Sequence, residues 1–128
     1  VWIEDGVVRF FVPLNENSVS HTITGYNSKT KGKRESILVD CIDILKIKIE
    51  KYEVLKLDIE GSELPVLTRL INNLGSKKLP KQLLVEFDEL RVPNFANLNN
   101  VFLFQRELKR VGYKLVKNDE FNFTYLKD

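Results

Sequence analysis

The stretch "LKLDIEGSE", residues 55–63, decides how the chain is organised. Its alternating apolar residues predict a β-strand, and the apolar residues that follow predict a helix with Ser62 as N-cap. Between strand and helix lie carboxylates and a glycine, at Asp58, Glu60, Gly61 and Glu63. Carboxylates rarely lie at the edge of a core unless a helix end, a cation or a reaction requires them. The stretch therefore predicts a strand-to-helix turn with a functional acidic edge.

Strand and helix patterns on both sides of this turn predict an α/β domain. Predicted strands lie in "SILVDCI", "YEVLKLDI" and "QLLVEFDEL", and "VWIEDGVVRFFVP" predicts two short strands joined by a hairpin at Asp5-Gly6. Apolar stripes at helical spacing predict one helix around Val66–Leu74, which ends at Gly75, and another around Val101–Val111. Asp43 can cap a short helix that begins at "DILK". The segments "YKLV" and "FNFTYL" predict a C-terminal antiparallel hairpin. This order of elements predicts a mostly parallel sheet that ends in that hairpin.

The acidic residues follow two predicted strands of this sheet. Asp58 and Glu60 come after one strand, and Glu86 and Asp88 come at the end of the next. Ligands of open parallel sheets bind beyond the C-terminal ends of the strands. If the two strands are neighbours, their carboxylates converge on one crevice. A structural alternative stays open for Glu63, which suits the first turn of a helix, and for Asp88 and Glu89, which suit a solvated loop.

The composition sets the broad class of protein. A chain of 128 residues with 43% apolar residues can form one ordinary domain. Its net charge of +2 gives no general attraction to nucleic acid or to an anionic membrane, so we expect neither as a partner. No apolar run approaches the length of about 18 residues that a membrane span needs. A single cysteine, Cys41, favours a reducing, cytoplasmic location.

The sequence "VLKLDIEGSELPVL", followed by "LLVEFDEL", resembles the central motif of the FkbM-type methyltransferases, which use S-adenosylmethionine. That motif, Lys-x-Asp-x-Glu-Gly-x-Glu, is matched position by position by Lys56, Asp58, Glu60, Gly61 and Glu63. Upstream, "DGVVRFFVP", "NSVSHTI" and "VDCIDIL" are similar to the family's preceding segments. The resemblance implies a Rossmann-like methyltransferase fold.

One part of the family pattern is missing. The family's first strand ends in a Gly-x-Gly turn that holds the cofactor, and no such strand-to-helix turn occurs in residues 1–128. The chain also lacks methionine and begins inside an apolar segment. The resemblance therefore implies that residues 1–128 are the C-terminal, substrate-side part of one methyltransferase domain and are inactive alone. The strand before Asp58 would then have an exposed edge, so we expect poor solubility or a dimer formed through that edge.

The resemblance also implies a reaction and roles for individual residues. The reaction is O-methylation of a hydroxyl on a sugar or a natural-product-like small molecule. Asp58 is a candidate either for the base or for the partner of the methionine ammonium group, and Trp2 is a candidate for stacking on the adenine. The further catalytic candidates are Glu60 and His21. The candidates for binding the substrate are Ser18, Ser20, Glu63 and Glu86.

Two other functions stay open. Asp58, Glu60 and Glu86 carry the oxygen ligands that a hard divalent ion such as Mg²⁺ prefers, so a metal-dependent hydrolase is one alternative. The other is a non-catalytic interaction module, in which the carboxylates cap helices and keep the surface soluble.

Overall fold

The computed structural model describes residues 1–13, 21–23, 35–91 and 94–128. Within these ranges the chain forms two α-helices and six β-strands in two sheets. The helices are α1 (Glu63–Leu74) and α2 (Phe95–Arg110). The strands are β1 (Gly6–Phe11), β2 (Ser36–Cys41), β3 (Val54–Leu57), β4 (Gln82–Glu86), β5 (Tyr113–Asp119) and β6 (Asn122–Lys127).

The larger sheet has four strands in the order β3-β4-β6-β5. The strands β3 and β4 are parallel, with Leu57 opposite Val85, and α1 connects them. The other two strand pairs are antiparallel, so the prediction of a mostly parallel sheet is wrong for the described strands. The reason is that β6 turns back from β5 at Glu120 and inserts beside β4. The C-terminal hairpin is confirmed, and a Rossmann-like arrangement of a whole domain stays a prediction.

The smaller sheet pairs β1 with β2 in antiparallel register, from Gly6 opposite Cys41 to Phe11 opposite Ser36. The hairpin predicted at Asp5-Gly6 is therefore wrong, because Gly6 begins β1 and the partner strand lies far along the chain. A six-residue ladder satisfies more backbone hydrogen-bonding groups than the four residues before Asp5 could. Those residues contact the chain elsewhere, since Trp2 forms an isolated parallel bridge with Asp43.

Asp43 anchors the short 3-10 helix Ile44–Lys46 to α1. Its carboxylate accepts a hydrogen bond from the backbone N–H of Leu45 at 3.0 Å, so the predicted cap is confirmed. The same carboxylate pairs with the Arg69 guanidinium of α1 at 2.5 Å. This contact keeps Ile44, which is buried, against the core.

The apolar stripe of α1 faces the sheet, and its members Val66, Leu67 and Leu70 are at most 1% exposed. The helix ends at Gly75, whose φ of 67° is the left-handed conformation that glycine adopts at low cost. Both predicted features of α1 are confirmed. Burial of these side chains supplies most of the free energy that holds the helix on the sheet.

The buried stripe of α2 meets the sheet through aromatic contacts. Phe104 of α2 lies edge-on to Phe87, with 6.3 Å between ring centroids, and Phe87 lies edge-on to Phe123 of β6 at 5.2 Å. Val101 and Leu108 complete the stripe, and Asn94 caps the helix by accepting from the N–H of Asn97 at 2.9 Å. In the part of the chain that the structure describes, neither helix has the length and apolarity that a bilayer span requires.

Candidate functional site

The C-terminal ends of β3 and β4 lie side by side. Leu57 and Val85 are paired in parallel register, so the residues that follow each strand leave the sheet at the same edge. The two strands are therefore neighbours, which is the condition for the carboxylates that follow them to converge, while a shared crevice stays a prediction. We call the resulting group the strand-end cluster, and its members are Asp58, Glu60, Glu63, Glu86, Asp88 and Glu89.

Between β3 and α1 lies a turn of unusual backbone conformation, residues 58–61, which we call the acidic turn. Glu60 has a φ of 56° and Gly61 a φ of 90°. Glycine tolerates such values, whereas a glutamate adopts them only where its surroundings hold it there. The Thr22 hydroxyl, from a distant segment, donates a 2.6 Å hydrogen bond to the Glu60 carbonyl. The turn is therefore held in a defined conformation by side chains outside it.

Glu63 holds the same turn from the helix side. One carboxylate oxygen accepts from the backbone N–H of Ile59 at 2.7 Å, and the other accepts from the N–H of Gly61 at 3.0 Å. The side chain is 0% exposed. Ser62 is the N-cap residue, as predicted, but its hydroxyl makes no capping hydrogen bond. The carboxylate of Glu63 satisfies N–H groups just before the helix instead.

Burial controls the ionisation of Glu63. Loss of contact with water raises its pKa to about 7, from an ordinary value of 4.5. The hydrogen bond from the Ile59 N–H works in the opposite direction, because it stabilises the ionised form. The charges of Glu89 and Asp88 raise the pKa further. Glu63 therefore supports the acidic turn through its two hydrogen bonds. A direct contact between Glu63 and the substrate stays a prediction.

Two carboxylates of the acidic turn face outward. The Asp58 side chain is 39% exposed, and its oxygen contacts the Lys56 ammonium at 3.0 Å. Such an exposed pair is weak, because water solvates both charges. Glu60 is half-buried. Burial is the main reason why the pKa of Asp88 is raised, and the charge of Glu60 raises that pKa further. Asp58 and Glu60 are therefore the carboxylates of the turn that a ligand can reach.

Arg91 lies beside the strand-end cluster and was missed by the sequence-based prediction. Its guanidinium bonds to Asp88 at 2.5 Å, pairs with Glu86 and lies 4.8 Å from the centroid of the Phe121 ring. The spacing of three residues between Asp88 and Arg91 is the signal that could have revealed it. The Arg91 guanidinium compensates the negative charges of Glu86 and Asp88 at the end of β4, and it is bonded to one of the two oxygens of Glu86.

The prediction that Asp88 and Glu89 are solvated loop residues is wrong. They are 8% and 1% exposed, in a 3-10 helix that spans Asp88–Arg91. Burial raises the pKa of the Glu89 carboxyl. Its Oε2 atom has no hydrogen-bond partner among the residues that the structure describes. Within those same residues, no three His, Cys, Asp or Glu side chains form a group that could hold a metal ion.

The remaining predicted residues lie in different places. His21 directly precedes Thr22, so it lies next to a residue that contacts the acidic turn. Trp2 is half-buried, packs against the core and has backbone hydrogen bonds with Ile42 and Ile44. Ser18 and Ser20 lie outside the described residues. Thr22 was not singled out from the sequence, where a lone hydroxyl beside His21 is too weak a signal.

A groove of about 1270 Å³ lies between α1 and α2. Its walls include Leu64, Thr68, Leu103 and Arg106, together with Glu4 from the N-terminal segment. None of the strand-end carboxylates lines it. The groove and the strand-end cluster are therefore separate surfaces, and the converging carboxylates belong to the second.

The fold and the strand-end cluster define an α/β protein with a group of carboxylates beyond its parallel strands, the edge where open parallel sheets bind ligands. Comparison with known families makes this class specific, because residues 4–115 match the model of the methyltransferase FkbM domain. This match spans most of the chain, so the chain belongs to the FkbM methyltransferase family. Membership implies a methyl-donor cofactor. No curated protein and no solved structure matches the chain.

Proposed function

We propose that the protein transfers a methyl group from S-adenosylmethionine to a hydroxyl of a small molecule of the sugar or natural-product type. The observation that carries this proposal is the placement of Asp58 and Glu60. The two carboxylates lie at the C-terminal edge of a parallel strand pair, in a turn of defined conformation, within a chain of a methyltransferase family. The membership supports the reaction type, and the geometry supports the residues.

The side chains at this edge suit a cationic methyl donor. The donor carries a positive ammonium group and a positive sulfonium, and Asp58 offers an exposed carboxylate whose one ion pair among the described residues is with Lys56. A ligand ammonium group can displace such a weak partner. Arg91 already compensates Glu86 and Asp88. Asp58 and Glu60 would therefore contact the donor or the acceptor, and Trp2 stays the candidate for the adenine.

When bound, S-adenosylmethionine supplies an electrophilic methyl group. The residues must hold the acceptor hydroxyl in line with it and remove the hydroxyl proton. Asp58 and His21 are the candidates for taking that proton, since Asp58 ends the strand and His21 precedes the contact with the turn. Glu60 and the second oxygen of Glu86 are placed to accept hydrogen bonds from other hydroxyls of the acceptor.

Calorimetric binding of S-adenosylmethionine and transfer of labelled methyl to a panel of sugars and polyols test the proposal. We expect Asp58→Asn to lower donor affinity or turnover by about 10- to 100-fold, the usual worth of a hydrogen bond to a charged group. Asp128→Asn is the matched control, because Asp128 is an exposed carboxylate that contacts Lys114 at 3.1 Å. It should change neither quantity.

The two readouts also separate the roles of Asp58. A loss of affinity identifies the partner of the ammonium group, and a loss of turnover at unchanged affinity identifies the base. If Asp58→Asn has no more effect than Asp128→Asn, Asp58 is not at the reacting end. If the wild-type protein neither binds the donor nor transfers methyl, the proposed function is wrong.

A further inference from the structure

We propose that Glu63 is a positioning residue: its carboxylate fixes the backbone of the acidic turn and thereby sets where Asp58 and Glu60 stand in the site. This inference rests on the proposed function, because the position matters for methyl transfer. It assigns Glu63 a task different from the substrate contact that the sequence predicted.

The contacts of the carboxylate carry this inference. Each of its two oxygens accepts one backbone N–H, from Ile59 at 2.7 Å and from Gly61 at 3.0 Å. These N–H groups flank Glu60, so the carboxylate spans the residue with the unusual φ of 56°. The side chain is 0% exposed, so water does not compete for its oxygens. The ionised form of Glu63, which prevails above its pKa of about 7, therefore closes the turn as a bidentate acceptor.

A second side chain completes the hold on the turn. The carbonyl of Glu60 lies between the two N–H groups along the chain, and it accepts from the Thr22 hydroxyl at 2.6 Å. Three backbone polar groups of residues 59–61 are thus held by side chains from two separate segments. A left-handed glutamate persists only where its surroundings specify it this fully. Loss of either side chain should let the turn relax towards a commoner conformation.

These contacts differ from those of an ordinary first-turn acid. Such an acid stabilises the N–H groups of its own helix, whereas Glu63 bonds to Ile59 and Gly61, which precede α1. Glutamine in its place would offer one acceptor and one donor. The donor would face a backbone N–H, so one of the two hydrogen bonds would be lost. Glu63→Gln therefore removes the bidentate contact with almost no change in volume.

The experiment compares Glu63→Gln with Glu89→Gln in the purified protein. Glu89 is also a buried glutamate, at 1% exposure, and its pKa is also raised by burial, but it makes no hydrogen bond to the acidic turn. The first readout is hydrogen exchange and ¹⁵N–¹H chemical shift at the amides of Ile59 and Gly61. The second is the rate of methyl transfer, separated into kcat and KM for the donor.

We expect Glu63→Gln to expose both amides to exchange and to lower kcat by about 10- to 100-fold, because an error of about 1 Å in position costs about 100-fold in rate. The KM for the donor should rise as well only if Asp58 is the partner of the ammonium group, because Glu63 acts through the position of Asp58. Glu89→Gln should leave the two amides unchanged, and the exposed variant Asp128→Asn should leave kcat unchanged. A merely structural role for Glu63 would lower stability and leave the kcat of the folded protein unchanged.

Each outcome decides the inference. If hydrogen exchange and chemical shifts of the two amides do not change in Glu63→Gln, Glu63 does not hold the turn. If the amides become exposed but turnover stays at the wild-type level, holding the turn does not affect the reaction. If the wild-type protein shows no methyl transfer, the proposed function fails, while the amides still decide whether Glu63 holds the turn. If Glu63→Gln does not fold, Thr22→Val replaces it, because this variant releases the same turn through the Glu60 carbonyl. An unchanged kcat in a folded Thr22→Val variant then overturns the inference.

Discussion

The buried carboxyl of Glu63 should make the stability of this protein fall as the pH rises from mildly acidic to mildly basic. Its pKa is about 7 in the folded chain, against an ordinary value of 4.5. The folded state therefore holds a proton that the unfolded chain releases over this range. Stability from such a group is fully present below the unfolded pKa and is lost as the pH rises through the folded pKa.

The size of the effect follows from the two pKa values. Their difference corresponds to about 3 kcal/mol in the free energy of unfolding, most of which is lost between about pH 5 and about pH 8. No discount for solvent is needed, because the side chain is 0% exposed. Asp5 and Asp43 do not titrate in this window, since hydrogen bonds from Lys46 and Arg69 lower their pKa values.

Urea denaturation at the two ends of this pH range measures the effect, and Glu63→Gln isolates it. The variant cannot ionise at this position, so its unfolding free energy should vary with pH by about 2–3 kcal/mol less than that of the wild type. Asp88 and Glu89 also have pKa values raised by burial, and their contribution stays in both proteins. Equal pH dependence in wild type and variant would refute the assignment of a buried, proton-binding carboxyl at Glu63.

Three further changes test the fold and the support of the turn. Thr22→Val removes a hydroxyl that holds the acidic turn and should lower the free energy of unfolding, measured by urea denaturation, by about 1 kcal/mol. Thr68→Val, at an exposed site on α1, should lower it by less than about 0.5 kcal/mol. Leu108→Ala should cost about 2–5 kcal/mol because the side chain is 0% exposed; Leu103→Ala, 46% exposed on the same helix, should cost under about 1 kcal/mol. The predicted dimer through the edge strand β3 should weaken in Val54→Lys, and a concentration-independent sedimentation coefficient of the wild type would contradict it.

Local patterns in the sequence were sufficient to predict most of the helices and strands. The stripe from Val66 to Leu74 and the stop at Gly75 predict α1, because apolar spacing and a left-handed glycine act within the helix itself. The pairing of β1 was not predictable in this way. Asp5-Gly6 has the composition of a hairpin turn, but β1 pairs with β2, and the competing ladder lies beyond any local pattern.

In the candidate site, too, local features could be predicted from the sequence and long-range contacts could not. The convergence of the strand-end carboxylates was predictable, because it needs only two neighbouring parallel strands. The contacts that hold the acidic turn were not predictable. The Thr22 hydroxyl, which donates to the Glu60 backbone carbonyl, lies 38 residues away along the chain. Arg91 was within reach of a sequence argument, since it follows Asp88 by three residues. Long-range hydrogen bonds to the backbone leave no comparable pattern in a single sequence.

The geometry of the turn gives a physical reason for the spacing Asp-x-Glu-Gly-x-Glu. Glu63 stands two residues after Gly61 and four after Ile59, which lets one carboxylate accept from both N–H groups. The backbone between these two N–H groups is left-handed at Glu60, and Gly61 continues the turn with a positive φ that glycine adopts at low cost. Residues that the closure does not use, Asp58 and Glu60, are thereby left with outward carboxylates. One short motif thus contains both the buried acid that shapes the site and the exposed acids that are free to bind a ligand.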